Sequence, residues 1–287
     1  MLDLRSKKQK NMESTTTIAA KDGLNLFMRS WIPPQYRGVI ALVHGFGEHS
    51  GRYQHVADFF NINGFAVVAM DSRGHGKSDG QRGHAPSFES YYNDVESLVD
   101  FTRKTTGNTV PLLLYGHSMG GNIVLNTILR RHTEGVAGII TTGPLVALAF
   151  KPSAFLLFLG KTMRSIWPTL SQPGGVKPEN ISRDKAVVEA YIKDPLVHGK
   201  VTTAAGMDLL EAGEFLEKYE GKMPVPTLIM HGGNDFLTSQ PASEAFAKRV
   251  SGDITYRKWD GLYHEIHNEP EKEQVFAEML TWLNAHV

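Results

Sequence analysis

Gly116-His117-Ser118-Met119-Gly120-Gly121 fits the pattern G-x-S-x-G, in which a serine is held on a sharp turn between a strand and a helix. The flanking sequence has that context. Leu112 to Tyr115 reads as a buried strand, and Met119 to Arg131 as a helix. The glycines let the chain turn and leave the Ser118 hydroxyl exposed at the edge of a sheet. The helix behind it points free N–H groups and the positive end of its dipole at the same spot. Negative charge develops there during acyl transfer.

A serine nucleophile needs a base, and the base needs an acid to orient it. With this elbow the chain order is Ser, then Asp or Glu, then His, each partner in a loop just past a strand. The strand-like run Val225 to Met230 leads into His231-Gly232-Gly233-Asn234-Asp235, and Ile254 to Trp259 leads into Asp260-Gly261-Leu262-Tyr263-His264. Asp235 and His264 are therefore the expected partners. An earlier strand ends in Gly143-Pro144 and offers no carboxylate. His267 is the competing base, three residues on; His264 is preferred because it lies in the loop itself.

The oxyanion donors are expected to be the N–H of Met119 and that of Phe46. Phe46 lies in His44-Gly45-Phe46-Gly47-Glu48-His49, where two glycines allow close backbone approach. Asp71 to Ser78 is glycine-rich but lacks phosphate-loop spacing, and reads as a tight turn. His264 and His267 do not make an H-E-x-x-H pair, so no metal is expected, and no cofactor.

The elements that must position these groups follow from the apolar pattern. Short apolar runs alternate with amphipathic ones: Val39 to Val43, Phe65 to Met70, Leu112 to Tyr115 and Val136 to Thr141 as strands, with Arg52 to Asn63, Phe88 to Thr105 and Met119 to Arg131 as helices. Strands buried on both faces and separated by helices imply an α/β fold, with a mostly parallel central sheet and helices on both faces. A hairpin, Thr16 to Ala20 and Leu24 to Trp31, opens it. The rhythm breaks between Leu145 and Lys218 and resumes with the last two strands. The expected division is a tail at 1–14, a core at 15–144 and 219–287, and a helical cap at 145–218.

Composition narrows the function. The chain has 287 residues, with 30 Lys+Arg against 30 Asp+Glu, and 41% hydrophobic residues. That supports a folded core and argues against nucleic acid as a partner, which demands a basic face. Cys is absent, which excludes disulfides, Cys-ligated metal and a thiol nucleophile. No signal-peptide pattern opens the sequence, and no apolar run approaches about 18 residues. A cytoplasmic protein is expected.

Together with Asp71 to Ser78, Gly116 to Gly121, and Tyr191 with Asp194-Pro195-Leu196, the run His44-Gly45-Phe46-Gly47-Glu48-His49-Ser50-Gly51-Arg52-Tyr53 resembles the monoacylglycerol lipases. The resemblance runs from about Gly23 to the C-terminus. It implies an α/β-hydrolase fold with a mobile lid that docks on membranes, the triad Ser118, Asp235 and His264, and the oxyanion pair Phe46 and Met119. It also implies a glycerol end formed by Glu48, Arg52, His267 and Tyr191, although Glu48 and Arg52 could instead simply pair with each other. One departure is that the vertebrate enzymes carry cysteines near the site, whereas Thr238 stands after Leu237 here.

The expected acyl pocket is formed by Leu145, Leu148 and Phe155 of the insert with Leu237. Lys151, Lys161 and Arg164 flank its apolar residues, a pattern suited to transient contact with a membrane surface. The alternative is a cap core with solvated lysines. The substrate implied is a small lipid ester, namely a monoacylglycerol; a lysophospholipid or a short-chain ester is the alternative.

Overall fold

The computed structural model describes residues 13–131 and 134–287. Residues 1–12 of the expected tail lie outside them. Glu13 and Ser14 belong instead to the first strand, β1 (Glu13–Ala19), which pairs antiparallel with β2 (Asn25–Trp31). Gly23, at φ 84°, makes the turn between them, a conformation that favours glycine.

The sheet then runs through β3 (Gly38–Val43), β4 (Phe65–Met70), β5 (Leu112–His117) and β6 (Val136–Thr142). Its spatial order is β1-β2-β4-β3-β5-β6, and two later strands extend it beyond β6. All pairings from β4 to the far edge are parallel. The central runs of β3 and β4 are apolar throughout because both faces are covered. Val39, Ala41 and Val43 face one core, with helices α2 (Phe88–Thr106) and α3 (Met119–Arg131). Ile40 and Leu42 face the other, with α1 (Gln54–Ile62) and the C-terminal helix. Period-two side-chain direction thus divides one apolar run between two layers.

β3 is flanked by β4 on one side and β5 on the other, so chain order reverses between β3 and β5. Ligands of open α/β sheets bind in the crevice at such a reversal, past the carboxyl ends of the strands. Here the loop after β3 and Ser118 after β5 meet there.

After β6 come α4 (Ala154–Ile166), β7 (Ser171–Pro173), α5 (Lys185–Lys193) and β8 (Lys200–Thr202), with β7 and β8 forming a two-stranded antiparallel ribbon. The next helix, α6 (Thr203–Lys218), corrects the expected cap boundary at 218. It packs on α3, and its Leu209 and Leu216 join the same core as α2 and α3. Its apolar face reads alike whether the surface it meets is a cap or a sheet layer, so the sequence alone does not separate the two. The inserted segment therefore ends at about Thr202. The sheet is completed by β9 (Thr227–Gly232) and β10 (Ile254–Trp259), with α7 (Gln240–Arg249) between them and α8 (Lys272–His286) last. No helix among the described residues is long and apolar enough to cross a membrane.

Candidate active site

Ser118 sits between β5 and α3 with φ 53°, the one non-glycine residue at positive φ among the described residues. Such backbone costs an L-residue about 1–2 kcal/mol, so the surroundings must hold it in place. They do so through close packing. A Cβ on Gly116 would come 2.5 Å from the Gly120 carbonyl oxygen, and one on Gly120 would come 2.1 Å from that of Val43. The elbow thus presses directly onto β3. The Ser118 N–H donates to the Thr142 carbonyl at 3.0 Å, and its own carbonyl accepts from Asn122 and Leu145.

Asp235 and His264 meet as their loops emerge from β9 and β10. His264 Nδ1 lies 2.6 Å from Asp235 Oδ2. The other carboxylate oxygen accepts from the Leu237 and Thr238 N–H groups at 2.7 and 3.0 Å. The Thr238 hydroxyl and His231 Nε2 also donate to Asp235 Oδ2, at 2.8 and 3.1 Å. Burial pushes the Asp235 pKa up, but the two histidines and these donors outweigh it and hold the carboxyl well below its usual range. Burial alone would lower the pKa of His264. The Asp235 carboxylate reverses this and raises it. Ser118, His264, Phe46 and Met119 line the same cavity.

The loop after β3 is fixed by a carboxylate. Glu48 Oε1 accepts from the Gly45 N–H and from the Tyr53 hydroxyl, both at 2.7 Å. Arg52 donates to Glu48 Oε2 at 2.6 Å and, with two nitrogens, to both oxygens of Glu265 at 2.7 and 2.8 Å. The Tyr191 ring covers the guanidinium at 4.8 Å. Burial pushes Glu48 up, but Arg52, His117 and His44 bring its pKa down to about 2. His44 locks this loop to the next. Its Nε2 accepts from the Ser72 N–H at 2.9 Å, so its Nδ1–H donates to the Gly45 carbonyl at 2.7 Å.

The cavity has a volume of roughly 570 Å³. Most of its wall is apolar, formed by Leu145 and Leu148 after β6, Leu156, Leu159 and Met163 from α4, Met207 and Leu210 from α6, and Leu237. Its polar end holds Glu48, His117, Ser118, Tyr191, Thr238, His264 and Glu265.

Three expected site residues lie elsewhere. Phe155 is off the cavity wall and 70% exposed; it is Leu156 and Leu159 of α4 that line the cavity. His267 is fully buried behind the wall, stacked on Tyr53 at 5.0 Å and edge-on to His117 at 4.6 Å. Neither of its ring nitrogens has a hydrogen-bond partner among the described residues, and burial holds its pKa well below the ordinary histidine value. The side chain at the wall is that of His117. Arg52 likewise stands behind the carboxylates rather than on the surface of the cavity. The expectation that Glu48 and Arg52 pair is met, with Glu265 as a third member.

Sequence reasoning passed over Glu265 and His231. Glu265 was adjacent to a candidate, but a pairing with Arg52 across 213 positions leaves no local signal. His231, four residues before Asp235, sits at a helix-like spacing within a strand end and had no pattern to mark it.

The family model described as Hydrolase_4, serine aminopeptidase S33, matches residues 34–271. The chain belongs to that family of α/β-hydrolases. It is 33% identical to a monoacylglycerol lipase of Mycolicibacterium smegmatis over 282 residues, covering 96% of this chain and 98% of that one. An uncharacterised abhydrolase domain-containing protein of Dictyostelium discoideum is 35% identical over 277 residues; the match spans 96% of this chain but 29% of that longer protein. Among solved structures, a monoacylglycerol lipase from Paleococcus ferrophilus superimposes with a TM-score of 0.82 at 32% identity, over 91% of this chain and 99% of that one.

Proposed function

We propose that this hydrolase cleaves the ester bond of monoacylglycerols, releasing a fatty acid and glycerol. The observation that carries the reading is one cavity whose wall is mostly apolar but includes Ser118 and His264 together with a set of hydrogen-bonding side chains. Each CH₂ of an acyl chain moved out of water contributes about 0.8 kcal/mol, so the apolar part favours a long chain. The polar part suits hydroxyls. This pairing, with the likeness to monoacylglycerol lipases, supports a lipid ester over the peptide that the family description names.

In this mechanism Ser118 Oγ attacks the ester carbonyl as His264 takes its proton. The N–H groups of Phe46 and Met119 receive the developing oxyanion, each donor worth about 10²–10³ in rate. Asp235 fixes the proton on Nδ1 of His264, leaving Nε2 free to act, and stabilises the imidazolium that forms. His264 then protonates the departing glycerol. A water activated by the same ring releases the fatty acid from the acyl-enzyme.

The inserted segment is proposed to act as a lid that meets membrane surfaces. Phe155, Phe158, Ile166 and Trp167 are exposed together on and beside α4, with Lys151 and Lys161 nearby. Arg164 is instead engaged with Asp208 and Glu211.

A fluorophosphonate probe should label the wild type and not Ser118→Ala. The wild type should also release oleate from 1-oleoylglycerol while Ser118→Ala loses about 10⁴–10⁶ in kcat. Retained turnover in a well-folded Ser118→Ala preparation would remove the assignment.

A further inference from the structure

The polar end of the cavity carries an imbalance of charge. Glu48 and Glu265 both line it, and no lysine or arginine among the described residues does. Their shared cation, Arg52, stands behind them and gives both hydrogens of one nitrogen, and one of a second, to the two carboxylates. Its face is covered by Tyr191. Glu48 and Arg52 balance one to one, and Glu48 also sets the backbone of the oxyanion loop through the Gly45 N–H. Glu265 is the surplus charge. It is 3% exposed, and Asn268 Nδ2 donates to it at 2.7 Å, so it is held in place.

We infer that Glu265 is a specificity-determining residue that makes the polar end select uncharged, hydroxyl-rich head groups and exclude phosphate-bearing ones. The inference rests on the acyl-ester reading above. A carboxylate accepts hydrogen bonds from the free hydroxyls of a glycerol head. A phosphate at the same place meets two buried carboxylates, and the guanidinium that would ordinarily bind it is already engaged. Exclusion built on an unfavourable charge adds specificity beyond what fit alone supplies. Removing the Glu265 charge leaves Glu48 and Arg52 as a neutral pair and releases N–H groups of Arg52.

The test compares oleate release from 1-oleoylglycerol and from 1-oleoyl lysophosphatidate in mixed micelles of a neutral detergent, per active site titrated with a fluorophosphonate. The wild type should favour the glycerol ester by at least about 100-fold in kcat/KM. Glu265→Gln, which keeps the side-chain volume, and Glu265→Val should each reduce the ratio by at least about tenfold, chiefly by raising lysophosphatidate turnover. 1-Oleoyl lysophosphatidylcholine, whose phosphate charge is cancelled by choline, should gain less than lysophosphatidate does. Equal gains on both phosphorylated lipids would mean a loosened wall rather than a charge effect, and would overturn the inference.

A variant-free arm uses competition against p-nitrophenyl butyrate in the wild type. Oleyl glyceryl ether should inhibit at least about tenfold more strongly than oleyl phosphate; equal inhibition counts against the inference. If the wild type releases no oleate from 1-oleoylglycerol, the ester reading falls and this inference with it. If it does so but neither variant moves the ratio by more than about threefold, only the inference falls.

Discussion

His264 Nδ1 and Asp235 Oδ2 are 2.6 Å apart, and that short contact sets both the tautomer and the basicity of the ring. Four further donors, from the Leu237 and Thr238 N–H groups, the Thr238 hydroxyl and His231, hold the carboxylate ionised and aimed. Asp235→Asn keeps the shape but cannot accept the Nδ1 proton in the same way. We expect kcat to fall by about 10⁴, with substrate binding less affected. Steady-state kinetics on 1-oleoylglycerol check this; a loss below tenfold would remove Asp235 from its role.

The same contact fixes the acid limb of the pH profile. Burial lowers the His264 pKa, Asp235 raises it by more, and the net shift is upward from 6.5. Catalysis needs the neutral ring, so kcat/KM should fall as pH drops through a value above 6.5. In Asp235→Asn the raising carboxylate is gone and burial remains, so the limb should move to lower pH, measurable on residual activity with p-nitrophenyl butyrate.

His267 offers a different test. It is buried, and neither ring nitrogen has a hydrogen-bond partner among the described residues, so an apolar side chain of similar size should serve the fold about as well. His267→Leu should change stability by less than about 1.5 kcal/mol in either direction, whereas His267→Ala should cost about 2–4 kcal/mol through the cavity it leaves. Either variant should alter turnover of 1-oleoylglycerol and of p-nitrophenyl butyrate by similar factors. A loss confined to the glycerol ester would place His267 at the head group after all.

Stability should also fall with acid. Burial holds His44, His75, His117 and His267 below the ordinary histidine range, with His117 brought down to about 4. Each is neutral in the folded chain and takes up a proton on unfolding below 6.5. The unfolded state therefore binds more protons, and stability present above 6.5 is lost as pH falls. His264, with its raised pKa, opposes this weakly. Denaturant midpoints at pH 7.5 and 5.5 check the direction, and His267→Leu should lessen the difference.

The alternation of apolar runs and helices made most of the fold legible in the sequence, because a strand buried on both faces has few alternatives. The elbow was equally legible: Gly116 and Gly120 are required by backbone approaches that a Cβ would block. The cap boundary was not, since α6 shows an apolar face whichever layer it meets. Phe155 differs from its expected place because the first turns of α4, Ala154 to Leu159, are apolar on every side and give no sign of which side faces the cavity. The place of His267 at the glycerol end rests on the resemblance to the monoacylglycerol lipases, and a matched position does not say whether a side chain lines a wall or stands behind it. Glu265 was missed because its role arises only from a long-range ion pair.

The substrate reading is tested most directly by comparing kcat/KM for 1-oleoylglycerol and trioleoylglycerol, dispersed in the same detergent, with Ser118→Ala as background. The polar end is lined by the buried carboxylates Glu48 and Glu265, paired with Arg52, which offer two further acyl chains no apolar surface. A site built for hydroxyls also loses its partners when they are absent. The monoacylglycerol should be preferred by at least about tenfold, corresponding to roughly 1.4 kcal/mol. Equal turnover of both lipids would contradict that reading and leave a general esterase on the same fold.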